Sequence, residues 1–434
     1  MQKFLYRSLF IVFIFVLLLV FYKSELQNLG EQRNKYLKYY IFFGSLFFIF
    51  VLGFFLNKTY NLVILISSIS LIFSFYIFES YTLFSIYVNQ KNKENLYYEK
   101  SNKKYDKRSL IEYFEFRKKT NKDIKVAIYP DYNNQKKNLN IFPLSGISNK
   151  ETILCNENGY FVNYMSDRYG FNNQDEDWDS DTIEYLLLGD SLVHGFCVKQ
   201  ENNMTSLLKK ISNKTVINLS YGGNGPLIQF ASLKEFKPKN VRKIIWTYSE
   251  WNDLVDLGFE YNNPILKQYY LDKDYSQNLK KKQDIIDNIG NTIIKDTKKN
   301  NYLSETKSKL KKFIFLNNTR FILSKKTKFY IYEKDFQILE NILIKFIEFS
   351  EENNSIPYFV YIPSYNTFNH DINEVNYKKI KKMINKLDIK FIDIREEIAE
   401  EKIDIRNLFP YNMPGHYSGK GYEFLMKKIY QKTN

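Results

Sequence analysis

One serine in this chain stands where a nucleophile would be presented. In IEYLLLGDSLVHGFC, residues 183–197, an apolar run from Ile183 to Leu188 ends at Gly189, and Ser191 follows. Such a run reads as a buried strand. A turn straight off it holds a hydroxyl at the rim of a sheet, within reach of a substrate. A serine hydroxyl is a poor nucleophile and needs a base to take its proton. The sequence offers His194, His370 and His416. His194 is three residues past Ser191, on what should be the same helix, and is expected to pack locally. His370 lies in the polar stretch SYNTFNHDINE and reads as a surface residue. His416 lies in a Pro- and Gly-containing turn ahead of the helix-like GYEFLMKKIY.

Three further segments follow the serine in order: NLSYGGNGP (218–226), YSEWNDL (248–254) and GHYSGKGY (415–422). The ordered set resembles the four blocks of the SGNH/GDSL hydrolase family, over residues 180–434. The resemblance implies an acyl-enzyme on Ser191 with His416 as general base. It implies an oxyanion site built from the Ser191 N–H, the Gly223 N–H and the Asn252 side-chain amide, with Gly222 a near competitor of Gly223. Donors aimed at a developing oxyanion are each worth about 10²–10³ in rate. Two departures stand out. Glu250 takes the glycine position of the GxND block, and Met413 takes the position of the acid three residues before the histidine. The third triad member is left open: a Ser–His dyad oriented by a backbone carbonyl, or a carboxylate such as Asp404. There is no HExxH, CxxC or phosphate-binding glycine loop, so no metal or cofactor is implied.

Candidate strands lie at Tyr185–Leu188, Thr215–Leu219, Lys243–Tyr248, Pro357–Ile362 and Lys390–Ile394. Helix-like stretches such as Met204–Ile211 and Pro226–Phe236 lie between them. Apolar strands with long crossovers argue for a parallel sheet covered on both faces. The fold expected is α/β, a flavodoxin-like parallel sheet with helices on both faces. The catalytic domain is read as 183–434, with a helical insertion at about 255–345. Residues 89–182 read as a juxtamembrane linker and a small β-rich lead-in, with short runs KVAIY, NIFPL, TILC and GYFVNY. Within it SDRYGFNN (166–173) resembles the Gly-Phe segment ahead of the family's serine block.

Residues 1–88 read as a membrane anchor. The stretches 8–22, 39–57 and 59–78 are uncharged, and a ~30 Å hydrocarbon core takes ~20 apolar residues as helix. Tyr22, Tyr39, Tyr40 and Tyr60 sit where an aromatic belt would lie. Charge near the spans is divided: Lys3, Arg7 and Lys58 face one side, and Lys23, Arg33, Lys35 and Lys38 the other. The positive-inside rule would leave the catalytic domain in the cytoplasm, although long domains largely escape it. Membrane-tethered members of the family work on the cell envelope, and that resemblance points to the periplasmic face of a bacterial inner membrane. The net charge of +15 comes from lysines scattered along the chain. Nucleic-acid binding would cluster them, so no nucleic-acid partner is implied. Cys155 and Cys197 set no disulfide framework. They read as small buried apolar residues, with pairing open in an oxidising compartment.

The partners expected are the bilayer and an ester-bearing substrate, an O-acylated envelope glycan first and a lipid second. The expected activity is that of a serine esterase or O-acyltransferase. The alternative is an inactive module of the same fold that binds glycan and scaffolds an export system.

Overall fold

A computed structural model describes residues 2–27, 33–130, 141–301, 305–328, 333–368 and 371–434. The chain forms two compact units: Met1–Val88 with Thr306–Lys326, and Asn89–Glu305 with Thr327–Asn434.

In the first unit, α1 (Gln2–Phe21), α2 (Arg33–Gly53) and α3 (Lys58–Ser101) carry the apolar stretches. These helices are long and apolar enough to cross a membrane. Tyr6, Phe13, Phe50 and Leu65 meet between them, and the Tyr6 hydroxyl donates to the Phe50 carbonyl at 2.8 Å. Many other large apolar side chains face outward, as a lipid solvent allows. Helix α3 does not stop where its apolar run ends. No glycine or proline lies between Lys58 and Ser101, so nothing in the backbone breaks it. What reads in sequence as the start of a linker is therefore helix.

The second unit holds two sheets. The smaller contains β1 (Lys125–Val126), β2 (Glu151–Ile153) and β3 (Asn163–Met165), with β1 parallel and β3 antiparallel to β2. Of the short runs read from sequence, KVAIY keeps two residues of strand. The described part of NIFPL, 141–144, forms no strand and contains Pro143, which has no N–H for a ladder.

The larger sheet contains β4 (Ile183–Leu188), β5 (Val216–Asn218), β6 (Val241–Ser249), β7 (Ile356–Ile362) and β8 (Lys390–Asp393), close to the ranges read from sequence. All pairs are parallel and the order is β5-β4-β6-β7-β8. That is the flavodoxin-like order, 2-1-3-4-5 counted within this sheet. Alternate residues serve opposite faces. Leu186, Leu188, Ile244, Trp246 and Phe359 pack beneath the helices Pro226–Phe236 and Glu333–Glu352. Tyr185, Leu187, Ile245, Val360 and Ile392 pack beneath Met204–Ser212 and Gly419–Thr433. From β4 the chain moves to β5 on one side, then returns past β4 to β6 on the other. A crevice at such a reversal, outside the carboxyl ends of the strands, is where open α/β sheets bind ligands.

Cys155 and Cys197 form a disulfide with Cα atoms 5.2 Å apart. This corrects the reading of them as separate small apolar residues. The hairpin between β2 and β3 carries Cys155 to the loop that follows Ser191, within bridging distance.

Candidate active site

Three strand ends at the reversal deliver three of the segments singled out above. Strand β4 ends at Leu188, where the Thr247 hydroxyl donates to its carbonyl at 2.8 Å, and Gly189 turns the chain. Asp190 caps the short helix Ser191–His194, its carboxylate accepting the Leu192 N–H at 2.9 Å. Ser191 is thus the first residue of a helical turn, on a backbone fixed from both sides.

His416 reaches Ser191 from the far end of the chain. Its Nε2 lies 2.9 Å from Ser191 Oγ. Its Nδ1 lies 2.9 Å from Glu157 Oε1, and its backbone N–H donates to Glu157 Oε2 at 2.8 Å. Burial alone would raise the Glu157 carboxyl, but the His416 ring and backbone N–H, with Lys93 further off, hold it below the ordinary value. An ionised carboxylate can only accept, so the Nδ1 of neutral His416 carries the proton and Nε2 is left to accept the Ser191 O–H. Burial would lower the His416 pKa. Glu157, and Asp190 behind it, outweigh burial and raise it, making the ring a stronger base. Phe196 packs its ring on the imidazole at 4.9 Å.

The acid in this relay is therefore Glu157, and the alternatives weighed from sequence do not supply it. Asp404 pairs with Arg406 and caps a turn at the surface. Glu157 precedes the serine by a whole domain segment, at the tip of the β2–β3 hairpin. That tip is tied down by the disulfide, by the Asn158 amide on the Cys197 carbonyl at 2.5 Å, and by the Tyr411 hydroxyl on the Asn158 carbonyl at 3.0 Å. Gly415 makes room for the carboxylate, since a Cβ there would lie 2.9 Å from Glu157 Oε2. Sequence reasoning missed Glu157 because it sought an acid beside the histidine. The available signal was a cysteine two residues before it, matched by another six residues after Ser191.

Glu157, Cys197 and His416 lie close enough to look like metal ligands. The Cys197 sulfur is bonded to Cys155, however, and the other two are hydrogen-bonded to each other. That donor set does not suit a metal.

After β5 the chain runs through the two glycines. Gly222 donates its N–H to His194 Nδ1 at 3.2 Å. Gly223 adopts φ +83, a conformation that a residue with a Cβ rarely takes. His194 is wholly buried, stacked on Tyr221 at 4.4 Å, and burial pushes it down to about 3. It is a neutral buttress of the glycine loop. Glu260 holds the other end of that loop, accepting the Gly225 N–H at 2.6 Å and the Leu227 N–H at 2.8 Å. Burial, then Asp256, pushes Glu260 up to about 8.

After β6 comes Asn252. Its amide donates to Asp256 at 2.7 Å and also steadies Asp190. Burial raises Asp256 to about 7. Glu250, in the place of the family glycine, accepts from Tyr361, Thr367 and the N–H and hydroxyl of Ser364. The departure from the pattern is thus a stitch between the β6 and β7 loops.

The 166–173 segment is scaffold. Asn172 donates to the His194 carbonyl at 2.8 Å, and Asn173 exchanges hydrogen bonds with the Asn218 backbone at 2.8 and 2.9 Å. Both side chains are buried. His370 lies outside the described residues.

The chain is similar to three solved structures, each at 11% identity and over 58% of its length. A protein described as lipolytic and of the G-D-S-L family, from Desulfitobacterium hafniense, is covered over 99% of its own chain with a TM-score of 0.32. A psychrotrophic esterase from Pseudoalteromonas, in a form inhibited by monoethylphosphonate, is covered over 96% with a TM-score of 0.30. An acetyl xylan esterase is covered over 100% with a TM-score of 0.32. No protein-family model matches the chain, and no curated protein matches it.

Proposed function

We propose that this chain is a membrane-anchored serine esterase of the SGNH/GDSL type, working through an acyl-enzyme on Ser191. The observation that carries this reading is the continuous relay from Ser191 Oγ through His416 to Glu157, with both links at 2.9 Å. The Ser191 O–H passes its proton to His416 Nε2 as Oγ attacks the ester carbonyl. The oxyanion is met by the N–H groups of Ser191 and Gly223 and by the Asn252 amide, which turns part of its donation away from Asp256. Collapse expels the alcohol, which takes the proton back from His416. The acyl group then leaves to water, or to a sugar hydroxyl in a transferase, with His416 again as base.

The substrate class is an O-acylated glycan. Trp251, beside Asn252, is 56% exposed and offers a flat apolar face to a sugar ring. The disulfide supports placing the catalytic unit on the oxidising, outer side of the membrane, because such bonds are rare in the cytosol.

A fluorophosphonate probe tests the assignment. The parent is labelled and Ser191→Ala is not; an unlabelled parent identifies the inert, scaffold alternative. Trp251→Ala tests the substrate class. It raises KM for an acetylated oligosaccharide and leaves hydrolysis of p-nitrophenyl acetate as it was. Equal loss on both esters removes the glycan reading.

A further inference from the structure

Residues 306–326 belong by contact to the unit of apolar helices, although the chain before and after them belongs to the catalytic unit. Lysine and arginine recur between 306 and 328, with no aspartate or glutamate. The helices Glu305–Ile314 and Asn317–Lys328 follow one another, joined by a turn through Leu316 at φ +50. Large apolar side chains cluster around that turn in the open: Leu310 is 58%, Phe315 52% and Ile314 51% exposed. Soluble surfaces rarely leave such residues together.

Glu79 fixes the depth of this segment. It directly follows the uncharged stretch 59–78 of α3 and is wholly buried. Its carboxylate accepts the Asn318 N–H and side-chain amide at 3.1 and 2.8 Å. It also accepts the Thr319 N–H and hydroxyl, both at 2.7 Å. Those N–H groups lie in the first turn of a helix, where intrahelical partners are lacking and negative charge is favoured. The Tyr76 hydroxyl donates to the Ile314 carbonyl at 3.0 Å, and its ring lies 5.5 Å from that of Phe313. The segment is therefore held against α3 at the end of the stretch 59–78, ~30 Å along the helix at ~1.5 Å per residue, which is about one hydrocarbon thickness and so the level of the headgroups.

We propose that residues 306–326 are an interfacial membrane anchor. They lay Leu310, Ile314 and Phe315 into the acyl–headgroup boundary of an anionic leaflet, with Lys311 and Lys312 at the lipid phosphates. A basic amphipathic segment at that depth has the composition of a helix lying in the interface. The anchor rests on α1–α3 spanning the bilayer and is independent of the esterase reading.

The test uses the full chain in nanodiscs of phosphatidylcholine and phosphatidylglycerol. A fluorophore is placed at Leu310→Cys or Phe315→Cys, and at Ile211→Cys on the catalytic unit as reference. These side chains are exposed, so the labels leave the packing alone. Nitroxide-bearing lipid should quench the 310 and 315 labels several-fold more than the reference. Glu79→Ala should bring that quenching down toward the reference. Quenching equal to the reference, or labels at 315 shielded by cross-linkable contact with a second copy, overturns the proposal. Quenching unchanged by Glu79→Ala overturns the role given to Glu79.

Discussion

Replacing Glu157 by glutamine preserves shape and removes charge, and the contacts of its two oxygens set the consequence. Both are in use, Oε1 on the His416 ring and Oε2 on the His416 backbone N–H. A glutamine has one acceptor oxygen and one NH₂ group. If the oxygen stays on the ring, the NH₂ faces the backbone N–H and leaves a donor unpaired, at about 1–3 kcal/mol. If the oxygen turns to the backbone, the NH₂ faces Nδ1. The imidazole must then carry its proton on Nε2, where it points at Ser191 instead of accepting from it. Loss of the correct tautomer costs about 10⁴ in kcat in comparable triads. Between the two arrangements, Glu157→Gln lowers kcat/KM by about 10²–10⁴. The pH profile gives a second reading. Glu157 raises the His416 pKa, so removing its charge lowers that pKa and moves the acid limb of kcat/KM to lower pH. Linkage predicts a stability effect with its own window. The Glu157 contribution is lost as pH falls through its depressed value, and the His416 contribution as pH rises through its raised one. The stability loss in the variant is therefore largest between the two. The assay is p-nitrophenyl acetate hydrolysis across pH, alongside thermal melts. A variant within about threefold of the parent, with an unmoved acid limb, refutes the assignment of Glu157.

His416→Ala should cost nearly as much as Ser191→Ala, since members of a relay act as a unit, while Asp404→Asn should be nearly silent; comparable losses at 404 and 416 would return the acid to Asp404. Gly415→Ala should push the Glu157 carboxylate off the His416 backbone, lowering kcat while circular dichroism stays as in the parent; full activity would show that the carboxylate has room to spare. Cys155→Ser with Cys197→Ser opens a loop of 42 residues in sequence separation, worth about 4 kcal/mol by chain entropy. It should lower both the melting temperature and kcat, and an unchanged kcat would show that the Glu157 loop holds without its staple.

The strands of the large sheet were legible because each is a short apolar run ended by turn residues. Their parallel order was legible from the long crossovers. Ser191 and His416 were legible from local setting and resemblance, and the structure brings them to hydrogen-bonding distance. Glu157 was not legible. It meets His416 across more than half the chain, and no local pattern marks a polar residue whose partner is that distant. Glu250 was visible only as a missing glycine, because what it does depends on the loop after β7. The continuation of α3 past its apolar stretch was hidden by a change in composition that a helix tolerates.

The chain passes from the first unit to the second at residue 88, back at 306 and out again at 326. A protease that cuts once after α3 would therefore shed nothing, because the second unit would still be joined to the first through the returning segment. Release into the surroundings takes separate scissions on both sides of that segment as well. A freely diffusing version made for crystallisation needs both the leading helices and the returning segment removed: a chain that begins at Lys91 still carries Leu310, Ile314 and Phe315, and would bring its own adhesive into solution.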